Sequence, residues 1–223
     1  MKAAAVPILF GCMIFMAGCA AEGGSTVDKT ETLAENIESD NKNYDVLYDK
    51  YMDIDELPVL DMDVEREYVC QDRTLIMEDS IENELEYDIY NYYYDIVSAD
   101  FESFMDNIGE NESFKTASAN EEKNFNEGRY NKEYDIYELT TVSVDDVKKA
   151  DDMSKDELLT DVEDCGLDQY ALVKADLSWK YNEAKLEASP QLPEGRYTRY
   201  FLLGTVGNDP EIKIYQVYWD EFL

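Results

Sequence analysis

Histidine is absent from all 223 residues, and that absence decides which chemistry is open to the chain. Ser-His and Cys-His nucleophiles and His-ligated zinc are excluded, so any catalysis would run on Asp, Glu, Tyr, Lys or Arg. The densest aromatic group is Tyr87, Tyr90, Tyr92, Tyr93 and Tyr94. At helical spacing Tyr90, Tyr93 and Tyr94 lie near one another while Tyr92 faces differently, which predicts a stacking surface for a carbohydrate or peptide. The alternative is that the rings line the core and their hydroxyls reach its rim. Arg196 and Arg199 stand out among only five arginines. If Tyr197 and Phe201 point inward, Arg199 follows them at period two, toward a carboxylate or other anionic ligand. The alternative for it is a salt bridge to one of 52 acidic residues.

Asp53, Asp55, Asp61 and Asp63 supply oxygen atoms of the kind calcium prefers, but the spacing of a calcium loop and its glycine are missing. They read as solvated acidic surface, with loose calcium association the functional alternative. Cys70 and Cys165, 95 residues apart, are candidates for a disulfide or for two separate buried thiols. Neither has a neighbouring Cys or His, so no metal site and no cofactor is expected.

A formal charge of −33 sets the class of partner. Nucleic acid is excluded, because phosphate binding needs clustered Lys and Arg. Anionic lipid headgroups should repel the body as well, over a screening distance of about 8 Å.

The chain opens with Lys2, then an uncharged run from Ala3 that closes on Met16-Ala17-Gly18-Cys19. The run is shorter than the roughly 20 residues that span a bilayer as a helix. Positive start, apolar core and small residues are the order of a secretory leader. The four closing residues resemble a bacterial lipobox. That resemblance implies removal of residues 1–18, lipidation of Cys19, and a cell-membrane anchor on the extracytoplasmic face. An ordinary signal peptide that frees a secreted protein is the alternative.

The elements that must position the candidate residues follow. Residues 19–43 form an acidic, aromatic-poor linker with a root-mean-square span of roughly 27 Å. Residues 44–78 read as an N-terminal extension, with a short helix before Pro58 and a strand through Val64, Arg66, Tyr68 and Cys70. Residues 79–223 carry the main domain. Ile81, Leu85, Ile89 and Ile96 predict a helix capped by Asp79 or Ser80. Asp100 caps a second, ended by a left-handed Gly109. Residues 110–135 are polar and read as a loop pinned by Phe114, Phe125 and Tyr130. A strand at 136–144 and one short helix within 145–159 come next. Alternation at 170–181 predicts a strand, and 196–206 and 212–219 read as two more, a hairpin around Gly207-Asn208-Asp209-Pro210. The fold class is α+β, with helices on one face of a curved antiparallel sheet.

Ser98-Ala99-Asp100-Phe101 and the ending Tyr200–Leu203 with Ile212–Trp219 resemble the nuclear-transport-factor-two-like group, also called cystatin-like. The resemblance implies a sheet wrapped around helices as a cone, and it carries over no catalytic residue. The leading expectation is a non-enzymatic, membrane-tethered binding module for a protein, glycan or small molecule. The rivals are an enzyme on the same cone using a pocket Tyr/Asp pair, and an acidic, cation-associating surface lipoprotein.

Overall fold

The computed structural model describes residues 43–60, 64–220 and 222–223. The leader, Cys19 and the linker up to residue 42 lie outside the described residues, as do Asp61 and Asp63. Six strands form one sheet in sequence order: β1 (Glu67–Cys70), β2 (Arg73–Met77), β3 (Asn131–Thr141), β4 (Gln169–Tyr181), β5 (Gly195–Thr205) and β6 (Lys213–Trp219). All neighbours are antiparallel except β2 and β3, which run parallel. The sheet is therefore mixed, where an antiparallel one was expected. Parallel neighbours need a crossover, and three helices supply it: α2 (Glu84–Ser98), α3 (Phe101–Asp106) and α4 (Glu112–Asn126). Residues 44–78 are not an appendage, since β2 pairs with β3 through Thr74–Met77.

Helices cover both faces of this sheet, not one. Leu85, Ile89, Tyr93 and Ile96 of α2, with Phe104 of α3 and Phe114 of α4, pack on Ile136, Val173, Leu177, Phe201 and Ile214. The opposite face meets α1 (Asp45–Lys50), α5 (Val144–Lys149) and α6 (Asp152–Asp164). There Leu47, Val147, Leu158 and Val162 pack on Tyr170, Leu172, Leu202 and Tyr218. Strand β4 records the change along its length. Tyr170–Val173 are buried without interruption, because helices lie on both sides. From Lys174 burial alternates, and Asp176 takes Arg196 on the open side. A last short helix, α7 (Glu183–Glu187), links β4 to β5.

Local chemistry explains the element ends. Asn83, rather than Asp79 or Ser80, caps α2, its side chain accepting from Glu86 N–H. Ala99 closes that helix at φ 63°, and Asp100 starts α3 by accepting from Ser103 N–H at 3.1 Å. Gly109 is not left-handed. It is small because the chain there touches β6: Gly109 N–H donates to Ile214 C=O at 2.8 Å, and Ile214 N–H donates to Asn107 C=O at 2.9 Å. The register shift between Leu202 and Leu203 leaves Tyr215 as an extra residue on β6, its ring against Gly109. A Cβ at position 109 would fall 2.3 Å from Tyr215 Cε1. Gly109→Ala is therefore expected to lower unfolding free energy by about 1 to 3 kcal/mol in urea titration. An unchanged midpoint would show that the ring moves aside freely.

Candidate functional site

Period-two alternation puts Trp179 of β4, Tyr197 and Arg199 of β5, and Trp219 of β6 on the face that carries α2–α4. Arg199 pairs directly with Trp219 across the ladder, while opposite it on β4 stands Ala175, too small to fill the space. The guanidinium lies 3.5 Å over the Trp219 ring and 5.1 Å from that of Trp179. Trp179 in turn stacks on Tyr197 with centroids 4.4 Å apart. Such a stack holds a cation by the negative faces of the rings. In a chain with 52 acids, Arg199 makes no ion pair among the described residues. Its Nε is buried without a hydrogen-bond partner.

Helix α4 forms the facing wall. Asn111 caps it, accepting from Phe114 N–H at 3.1 Å. Phe114, Ser118 and Glu121 recur along one side of it and, with Arg199, Trp219 and Tyr92, line a cleft of 310 Å³. Ser118 is only 3% exposed, and its Oγ has no partner. An unmade hydrogen bond at a buried hydroxyl costs about 1 to 3 kcal/mol, so two such groups on one cleft point to something that completes them. Tyr92 forms the floor, edge-on to Phe201 at 5.4 Å. Burial pushes its hydroxyl well above the ordinary range; Tyr93 and Glu121 push the same way and Arg199 opposes them. Burial likewise pushes Tyr93 up to about 12, although Arg199 pulls it down. Both phenols stay neutral near pH 7. Glu121 and Arg199 line the same cleft without pairing to each other.

No family model, curated protein or solved structure matches the chain.

The residues singled out from sequence distribute unevenly around this cleft. Arg199 lines it; Tyr90, Tyr93 and Tyr94 do not. Tyr90 is buried and its hydroxyl donates to Glu65 C=O at 3.3 Å. Tyr94 packs at a tilt against Tyr68, centroids 4.3 Å apart, and stacks on Tyr90 at 6.1 Å. Tyr93 packs behind the floor, 4.9 Å from Tyr134. Arg196 is on the opposite face, paired with Asp176 and 3.8 Å over the Tyr137 ring. Cys70 and Cys165 are free thiols that belong to clusters on opposite faces of the sheet. The bridge is therefore not formed, and each thiol has its own neighbour: Arg73 Nη2 donates to Cys70 Sγ at 3.4 Å, and Asn111 Nδ2 to Cys165 Sγ at 3.7 Å. Of the acidic group, Asp53 caps a tight turn by accepting from Asp55 N–H. Among the described residues no helix is long and apolar enough to cross a membrane.

Tyr92, Ser118, Glu121, Trp179 and Trp219 were missed as site residues. The signal for Tyr92 was present, since the spacing that groups Tyr90, Tyr93 and Tyr94 turns Tyr92 to another side. For Ser118 and Glu121 there was none, because α4 carries too few apolar residues to announce itself.

Proposed function

We propose that this chain is an extracytoplasmic, membrane-tethered binding module, held by lipid on Cys19, whose cleft takes a small zwitterion of the amino-acid class. The observation that carries the ligand is the pair of opposite charges on one cleft, Arg199 and Glu121, that do not neutralise each other. Arg199 suits a carboxylate and Glu121 an ammonium group. A net anion would meet the field of a chain at −33, whereas a zwitterion is indifferent to it. The unpartnered Ser118 hydroxyl and the open face of Trp219, 45% exposed, supply a further hydrogen bond and an apolar wall.

The tether rests on the lipobox resemblance of Met16–Cys19, and the cone-like reading on the Ser98-Ala99-Asp100 break and the β5–β6 hairpin. Helices α1, α5 and α6 are then an addition on the outside of the cone. Binding without catalysis is favoured because the polar groups of the cleft include one neutral phenol, Tyr92, serine hydroxyls and two ions that do not pair with each other, with no Tyr/Asp pair among its lining residues.

Trp179 and Trp219 are the only tryptophans in the chain, so tryptophan emission, excited selectively over the 18 tyrosines, reports this site. Titrated with a panel of free amino acids, Arg199→Met should bind about 10- to 100-fold more weakly than wild type, the size of a lost charged hydrogen bond. Equal affinity in a folded variant would reject the site.

A further inference from the structure

We infer that the free edge of β6 is a docking strand for an extended, cationic peptide segment. The edge is half covered. Residues 107–109 occupy it as far as Ile214, and at its far end Phe222 N–H donates to Trp219 C=O at 3.0 Å; no backbone meets the stretch between them, around Val217, among the described residues. Instead, Gln216 Oε1 accepts from Val217 N–H at 3.0 Å. A side-chain oxygen thus sits where a neighbouring strand would offer its carbonyl, and an incoming strand would take its place.

Hollows flank this edge on both faces. One is the cleft described above; the other is a groove of 600 Å³ between α6 and β6, and both are lined by Gln216, Val217 and Trp219. An added strand turns alternate side chains to opposite faces, so it would fill both hollows at once while its backbone pairs with the edge. The groove is rimmed by Met153, 78% exposed, and Trp219, two of the few large apolar side chains left in water. Its charged lining residues are Glu157 and Asp220, with no Lys or Arg. That charge selects the occupant. A second copy at −33, or the acidic stretch 19–43 of this chain, is repelled, whereas Lys or Arg at alternate positions is drawn in. The inference rests on the backbone of β6 and the groove beside α6, and because the segment would also enter the cleft, it would compete there with a zwitterion.

Two fluorescein-labelled peptides of equal charge test it, one alternating Lys and Val, the other the same sequence with its backbone N–H groups methylated, so that it cannot donate to a ladder. At about 0.15 M ionic strength, anisotropy should show the unmethylated peptide binding roughly tenfold more tightly. Val217→Pro, an edge substitution that a sheet tolerates, should erase that preference while circular dichroism and melting stay unchanged. Equal binding of the two peptides by wild type would overturn the proposal and leave charge attraction alone. Sedimentation as a dimer that Val217→Pro converts to a monomer would overturn it in favour of a second copy. Both readouts on wild type stand even if the variant fails to fold.

Discussion

Glu86→Ala should lower the unfolding free energy by about 3 to 5 kcal/mol, the cost of breaking a buried, hydrogen-bonded charge. Glu86 is 2% exposed, yet every contact of its carboxylate is a donor. Oε2 accepts from Glu82 N–H at 2.8 Å. Oε1 accepts from Thr141 N–H at 2.9 Å, from Thr141 Oγ1 at 3.1 Å and from Asn83 Nδ2 at 3.2 Å. One side chain thus ties the start of α2 to the end of β3, two elements 55 residues apart in the chain. Alanine leaves two backbone N–H groups without this acceptor and takes one of the two acceptors of the Asn83 amide. Glu86→Gln keeps one acceptor oxygen but turns an NH₂ toward donors, so about half of the loss should remain. Urea unfolding measures both. A loss below about 1 kcal/mol for alanine would mean that water enters and replaces the carboxylate.

The second large effect is on pH. Burial, with Glu84 one turn earlier, pushes the Asp88 carboxyl up to about 7. Burial and then Asp100 push Asp95 up to about 6, against the pull of a hydrogen bond from Asn107 Nδ2. In the unfolded chain both titrate near 3.9. A group whose folded value is raised favours the protonated, folded form. Its contribution is complete below about pH 4 and is lost as the pH rises through about 6 for Asp95 and about 7 for Asp88. The protein should therefore be more stable at pH 5 than at pH 7.5, by about 2 to 4 kcal/mol. Relief of self-repulsion in a chain at −33 acts in the same direction. Asp88→Asn should raise the melting temperature at pH 7.5 and flatten its dependence between pH 5 and 7.5. A wild-type melting temperature that rises with pH over that interval would contradict the burial of both groups.

How much of this was legible depended on where burial is one-sided. The open half of β4 alternates, and the turn at Gly207, φ 65°, marks where β5 returns as β6, so the terminal hairpin could be read directly. Asp100 was legible as a cap because its side chain does what the residue type suggests. Strand β2 was not. It is five residues long, and its turn from β1 uses Gln71 at φ 59°, a position where glycine or asparagine would have signalled a hairpin. Helix α4 was lost because its inward side walls a cleft rather than a core, so Ser118 and Glu121 stand where Leu would have marked a helix. Gly109 pointed to a helix end for the right residue type and the wrong reason: it serves a close approach to Tyr215, not a left-handed turn. For Arg199 the period-two argument gave its direction; the two tryptophans that hold it come from strands on either side and needed the register to be found.

The most direct test compares three forms of one ligand on the wild-type protein by tryptophan emission: a free amino acid, its N-acetyl derivative, and its amide. Arg199 and Glu121 on one cleft predict that the free form binds most tightly, and that removing either charge weakens it by about tenfold or more. Glu121→Gln should then narrow the gap between the free and N-acetyl forms while leaving the amide weak. Three equal titrations, or no change in emission with any of them, would contradict the account.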